Sequence, residues 1–146
     1  MRTRPAPDYR LAFDQWRSVM SRHQRILVCD DDELLVDLLT YRLAAKGYHV
    51  TAARDGGEAL ECIAQETPDA VVLDAMMPVV DGFEVLRRIR EDRATAHVPV
   101  VMLSARKQER DIVGALELGA SDFVVKPFIP EELLARLARL LGLEVR

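Results

Sequence analysis

The sequence predicts an α/β domain in which a parallel sheet of five strands is wound on both faces by helices. Short, continuous apolar runs recur at residues 26–29, 70–73, 98–103 and 123–125, and a run without polar alternation marks a strand covered on both sides. Between these runs stand stretches with apolar residues at helical spacing. The size also suits one domain with one substantial core: 146 residues, 49% of them hydrophobic, with seven glycines and seven prolines.

Residues 26–29 form the first strand. Residues 33–46 place Leu35, Leu38, Leu39 and Leu43 on one helical face, with Asp32 as cap and Gly47 where a left-handed residue ends a helix. Residues 48–53 read as the second strand. Asp55 with Glu58 three residues on resembles a capping box, opening a helix that carries Ala59, Leu60 and Ile63 before Pro68. The third strand is 70–73. Asp81 caps a helix with Val85, Leu86 and Ile89; residues 98–103, with Pro99 near the start, form the fourth strand. A helix at about 107–118 ends at Gly119. Residues 123–125 are the last strand, and Leu133, Leu134, Leu137, Leu140 and Leu141 give the final helix an apolar face before Gly142. Five βα units with right-handed crossovers put helices on both faces of one sheet. The expected strand order, 2-1-3-4-5, is that of flavodoxin-like sheets and is borrowed from them.

In such a sheet the residue after each strand emerges at the carboxyl edge, where open α/β sheets bind ligands. That edge gathers Asp30, Asp31, Asp74, Ser104 and Lys126. Clustered carboxylates beside one hydroxyl and one ammonium suit a divalent cation and a phosphoryl group. Carboxylates held together repel, so replacing Asp30 by alanine is expected to stabilise the metal-free chain.

Charge is uneven. Residues 1–25 carry six arginines against Asp8 and Asp14, a net +4, whereas the rest of the chain is net −8. A basic leader either touches an acidic partner or nucleic acid, or is simply solvated. Leu11, Phe13, Trp16, Val19 and Met20 form a loose helical stripe in it, so residues 1–24 are expected to be partly helical or disordered. No apolar stretch is long enough for a membrane span and no secretory-type apolar core follows the N-terminus, which makes a cytoplasmic location the expectation. Cys29 and Cys62 read as small core residues, and His23, His49 and His97 lack ligand spacing.

Over residues 25–142 the sequence resembles the receiver domains of bacterial two-component response regulators. The resemblance rests on ILVCDDD, on VVLDAMMPVVDG around Asp74, on VVMLSA with Ser104, and on GASDFVVKPF with Lys126. Four such pieces in order, at strand ends, make it specific. It implies a signalling phosphoacceptor rather than an enzyme acting on a separate substrate. Asp74 would take a phosphoryl group from a sensor histidine kinase, a phosphotransfer protein or a small acyl phosphate. Mg²⁺ (or Mn²⁺) would be held by Asp31, Asp74 and the Met76 backbone carbonyl, with Asp30 acting through water. Lys126 and Ser104 would meet the transferred oxygens. Phe123 is either plain core or, with Ser104, the switch to the face formed by the fourth helix, fifth strand and fifth helix. Met76 and Arg106 would flank the path of hydrolytic water and slow decay.

The sequence departs from that family in places. Phe123 stands where tyrosine is frequent, Leu34 replaces a proline, and Val79 and Val80 make the loop after Pro78 more apolar. Asp122, Glu132 and Arg136 match positions through which some family members form phosphorylation-dependent homodimers, but Gly114 sits where a basic partner is expected. A haloacid-dehalogenase-type phosphatase is a rival reading, yet the first acidic run continues into Glu33 and Leu34 and no acidic pair follows Lys126. The other rival, an interaction module that is never phosphorylated, sits poorly with an intact acidic set. With residues 143–146 as a tail and no output segment after 142, a stand-alone regulator or a fragment is expected, without direct DNA contact.

Overall fold

In the computed structural model the described residues are 24–105 and 108–142. The elements are β1 (Arg25–Cys29), α1 (Glu33–Ala45), β2 (His49–Ala53), α2 (Gly56–Gln65), β3 (Ala70–Asp74), α3 (Gly82–Glu91), β4 (Val100–Ser104), α4 (Glu109–Glu117), β5 (Asp122–Val125) and α5 (Pro130–Leu140). The strands are parallel in the order β2-β1-β3-β4-β5, as expected. The leader stripe lies outside the described residues, as do residues 143–146.

Alternation along each strand divides the core in two. Leu27, Cys29, Val71, Leu73, Val100 and Met102 face α2, α3 and α4, meeting Ala59, Val85, Leu86, Ile89 and Ala115. Ile26, Val28, Val72, Val101 and Leu103 face α1 and α5, meeting Leu39, Leu43, Leu133 and Leu137. Every residue of β3 and β4 is buried, which is why neither shows polar alternation. The edge strand β2 is mostly exposed.

Local signals set the helix ends. Asp32, Asp55 and Asp81 each accept backbone N–H groups of the turn they open, and Gly47 and Gly119 take φ of 93° and 101° beyond α1 and α4. Strand ends moved by a residue or two. β4 begins at Val100 and runs through Ser104, since Pro99 has no N–H for the ladder, although its carbonyl accepts from Val71 N at 2.9 Å. In α1 the buried residues are Val36, Leu39 and Leu43, while Leu38 is 40% exposed. That corrects the expected face: Val36, not Leu38, joins Leu39 and Leu43 in the core.

Arg90, at the end of α3, was silent in the sequence. Its guanidinium donates to the carbonyls of Gly119 and Val98 at 2.8 and 2.6 Å, tying the end of α3 to the loops that lead into β5 and β4.

Candidate phosphoacceptor site

Parallel register carries the acidic residues to one edge. β1 ends at Cys29 beside Leu73 of β3, so Asp30 and Asp31 emerge next to Asp74. Asp74 lies opposite Leu103, and Ser104 opposite Val125, directly before Lys126. The backbone locks this edge: Lys126 N donates to Ser104 O and Ala75 N to Leu103 O, both at 2.8 Å.

Asp30 and Ser104 are buried and Asp74 is 5% exposed, whereas Asp31 is open to solvent. Carboxylate oxygens of Asp30, Asp31 and Asp74 lie within 4.8 Å of one another. Lys126 Nζ donates to Asp30 Oδ2 at 2.7 Å and to Asp74 Oδ1 at 3.3 Å. The other Asp30 oxygen accepts Asp32 N–H at 2.9 Å. Burial, reinforced by the Asp30 charge, pushes the Asp74 carboxyl above its ordinary range despite the nearby ammonium. For Lys126, burial pulls downward, but the bond to Asp30 and the charges of Asp74 and Asp30 outweigh it and the ammonium is held above its ordinary value.

This donor set fits a hard divalent cation. Three carboxylates supply oxygen ligands with an excess of negative charge, and exposed Asp31 leaves one side open to water.

The loop after β3 is shaped by two glycines. A Cβ on Gly82 would stand 2.1 Å from Asp74 O, and one on Gly56 would stand 1.8 Å from Val80 O. Gly82 N donates to Ala75 O at 2.9 Å, closing the loop beneath Met76, which is 49% exposed. Between the glycines, Val80 N donates to Pro78 O across Val79, whose φ is 72°. Such a turn is strained for a β-branched residue. Neither close approach could be read from the sequence, where Asp81 marked only the start of a helix.

Away from the edge, Phe123 is half-buried against the α2–α3–α4 core. Asp122 and Glu132 both accept from Arg136, Asp122 through both oxygens at 2.8 and 2.7 Å and Glu132 at 2.8 Å. The three charged residues thus satisfy one another within the chain. Arg106 lies outside the described residues.

A (βα)₅ sheet with a buried carboxylate, two acidic neighbours and a lysine at one carboxyl edge defines a phosphoryl-handling signalling domain. The chain belongs to the response regulator receiver domain family, whose model matches residues 26–138. Among its relatives is the alkaline phosphatase synthesis transcriptional regulatory protein PhoP of Bacillus subtilis, 45% identical over 119 residues that cover 82% of this chain and 49% of PhoP. The chain spans about half the length of the curated relatives it matches. Among solved structures, a putative response regulator from Chloroflexus aurantiacus superposes with TM-score 0.77 at 34% identity, covering 82% of this chain and 98% of that one. The receiver domain of the Pseudomonas aeruginosa sensor histidine kinase PA1611, described with magnesium coordinated in its active-site cleft, superposes with TM-score 0.75 at 32% identity, covering 82% and 98%. Among the described residues no helix is long and apolar enough to cross a membrane.

Proposed function

We propose that Asp74 accepts a phosphoryl group from a histidine kinase, a phosphotransfer protein or a small acyl phosphate. The observation that carries this reading is the Asp74 carboxylate held between Asp30 and Lys126 at a sheet edge, one face open beside Asp31. A carboxylate oxygen of Asp74 attacks phosphorus in line; the phosphorus–nitrogen bond of the phosphohistidine breaks and the imidazole leaves. An acyl phosphate results.

Asp30, Asp31, Asp74 and the Met76 carbonyl are the groups that would hold Mg²⁺. When bound, the ion supplies positive charge against the transferred oxygens and offsets repulsion among the carboxylates. Lys126 bonds a phosphoryl oxygen once it is present, and the Ser104 hydroxyl bonds another; charge neutralisation and positioning are most of what such a transfer needs. The Lys126 ammonium then has a third anion to serve besides Asp30 and Asp74, and its shift carries the signal into β5. Phe123 and the α4–β5–α5 face follow, and there Asp122, Glu132 and Arg136 would exchange their internal pairs for pairs across a homodimer. Residues 25–142 would be the working unit, in the cytoplasm. Relatives such as PhoP, a transcriptional regulatory protein, extend beyond the matched length, and this segment would not contact DNA itself.

Intact mass after incubation with acetyl phosphate and Mg²⁺ tests the assignment. Wild type should gain one phosphoryl group and Asp74→Asn none, because the amide does not attack phosphorus. Equal labelling of both would overturn it. Decay of the label reads the roles of Met76 and Arg106: the thioether is a poor acceptor for a water, and the pair Met76→Asn with Arg106→Glu should lose phosphate faster.

A further inference from the structure

Helix α1 is apolar on two opposite sides. One side is core; on the other, Leu34, Leu38 and Tyr41 follow at i, i+4 and i+7 and are 82%, 40% and 74% exposed. Single exposed apolar residues are ordinary, but a stripe along one helix face marks a surface that something covers. Asp31 and Asp37, both exposed, lie beside it.

The chain outside the described residues ends next to this helix. Gln24 O accepts from His49 N at 2.9 Å, and His49 is only four positions beyond Ala45, the last residue of α1. The leader therefore enters β1 at the C-terminal end of α1. It carries the stripe of Leu11, Phe13, Trp16, Val19 and Met20 and a net positive charge, against an acidic remainder. Reach is sufficient. The eight residue steps from Trp16 to Gln24 span about 12 Å if helical and about 26 Å if extended, against helix packing distances of about 8–10 Å.

We propose that the leader, residues 1–23, folds back on the outer face of α1, its apolar stripe covering Leu34, Leu38 and Tyr41 and its arginines facing Asp31 and Asp37. The cover does not depend on phosphoryl chemistry at Asp74.

Trp16 is the chain's single tryptophan and reports directly on this contact. In the full chain its emission should be blue-shifted and shielded from acrylamide relative to a peptide of residues 1–23, at every protein concentration. The double variant Leu38→Glu with Tyr41→Glu should return both readings to the peptide values. Leu116→Glu, on the exposed side of α4, should change neither. Wild-type emission equal to the peptide's, or a signal that the α1 double variant leaves unchanged, would overturn the proposal. So would shielding that appears only with dimerisation in sedimentation, which would seat the leader on a second copy. Circular dichroism checks that the variants fold, and Leu34→Lys, at the most exposed of the three positions, repeats the test if the double variant does not.

Discussion

Asp74 is buried enough that its charge is disfavoured until something compensates it. With its folded-state pKa above the ordinary 3.8, the neutral form contributes stability that is fully present below that value and is lost as pH rises through the raised one. Metal-free wild type should therefore fall in stability over that window, relative to Asp74→Asn, and lie below the variant near neutral pH; urea midpoints across pH measure it. Parallel curves would mean that burial does not strain this carboxylate. Asp30 behaves oppositely. Counting carboxylates alone, its removal relieves repulsion, but in the fold it is the tighter partner of Lys126 and accepts Asp32 N–H. Asp30→Ala should thus destabilise the metal-free protein, by about 1–3 kcal/mol for the polar groups left behind, reversing the expectation drawn from the sequence. A raised melting temperature in that variant would restore it.

At the scale of elements, glycines divide by what surrounds them. Gly82 starts α3 where its missing Cβ lets Asp74 O approach, so Gly82→Ala must push the β3–α3 loop away from the acidic edge. Overpacking of this kind costs about 1–3 kcal/mol, and the displaced loop should also weaken Mg²⁺ binding. Gly114, in the middle of α4, has nothing within 4 Å of the position a Cβ would take. There alanine only restrains the unfolded chain and improves helix propensity, so Gly114→Ala should stabilise by about 0.5–1 kcal/mol. Denaturant midpoints and Mg²⁺ titrations on the two variants separate the effects; a Gly82→Ala protein that binds Mg²⁺ like wild type would detach the loop from the site. The same scale explains α1. Its low amphipathicity comes from leucines on both sides, so the face chosen from spacing included Leu38, which turns outward, and missed Val36.

For the whole molecule, the site and the fold share one energy. A cation that binds only the folded arrangement stabilises by RT ln(1 + [L]/Kd), about 2.7 kcal/mol at a hundredfold excess over Kd. Mg²⁺ should raise the denaturation midpoint of wild type accordingly and that of Asp74→Asn by less, since one ligand charge is gone. Equal gains in both would place the ion elsewhere. The two cores on opposite faces of the sheet make this coupling strong, because β1, β3 and β4 contribute to both and none can shift without disturbing helices on each side.

Features that depend on neighbours along the chain were legible in the residues alone. Apolar runs marked β1, β3 and β4; Asp32, Asp55 and Asp81 marked helix starts; Gly47 and Gly119 marked stops; and aspartate after a buried run placed Asp30, Asp31 and Asp74 at one edge. The strand order agreed, but by analogy with other doubly wound sheets, since no local signal encodes which strands pair. Tertiary structure alone decided the contacts between distant residues. Lys126 meets Asp30 across 96 positions of sequence and prefers it to Asp74. Arg136 binds Asp122 and Glu132 inside the chain, Gly82 yields to the Asp74 carbonyl, and Leu38 turns outward while Val36 turns in. Periodicity and capping report the conformation of a segment and the side it buries. Partner, distance and sign of interaction arise only when register and crossover bring separate segments together, and there the Lys126 ammonium pairs Asp30 and Asp74 while Asp30 still repels Asp74.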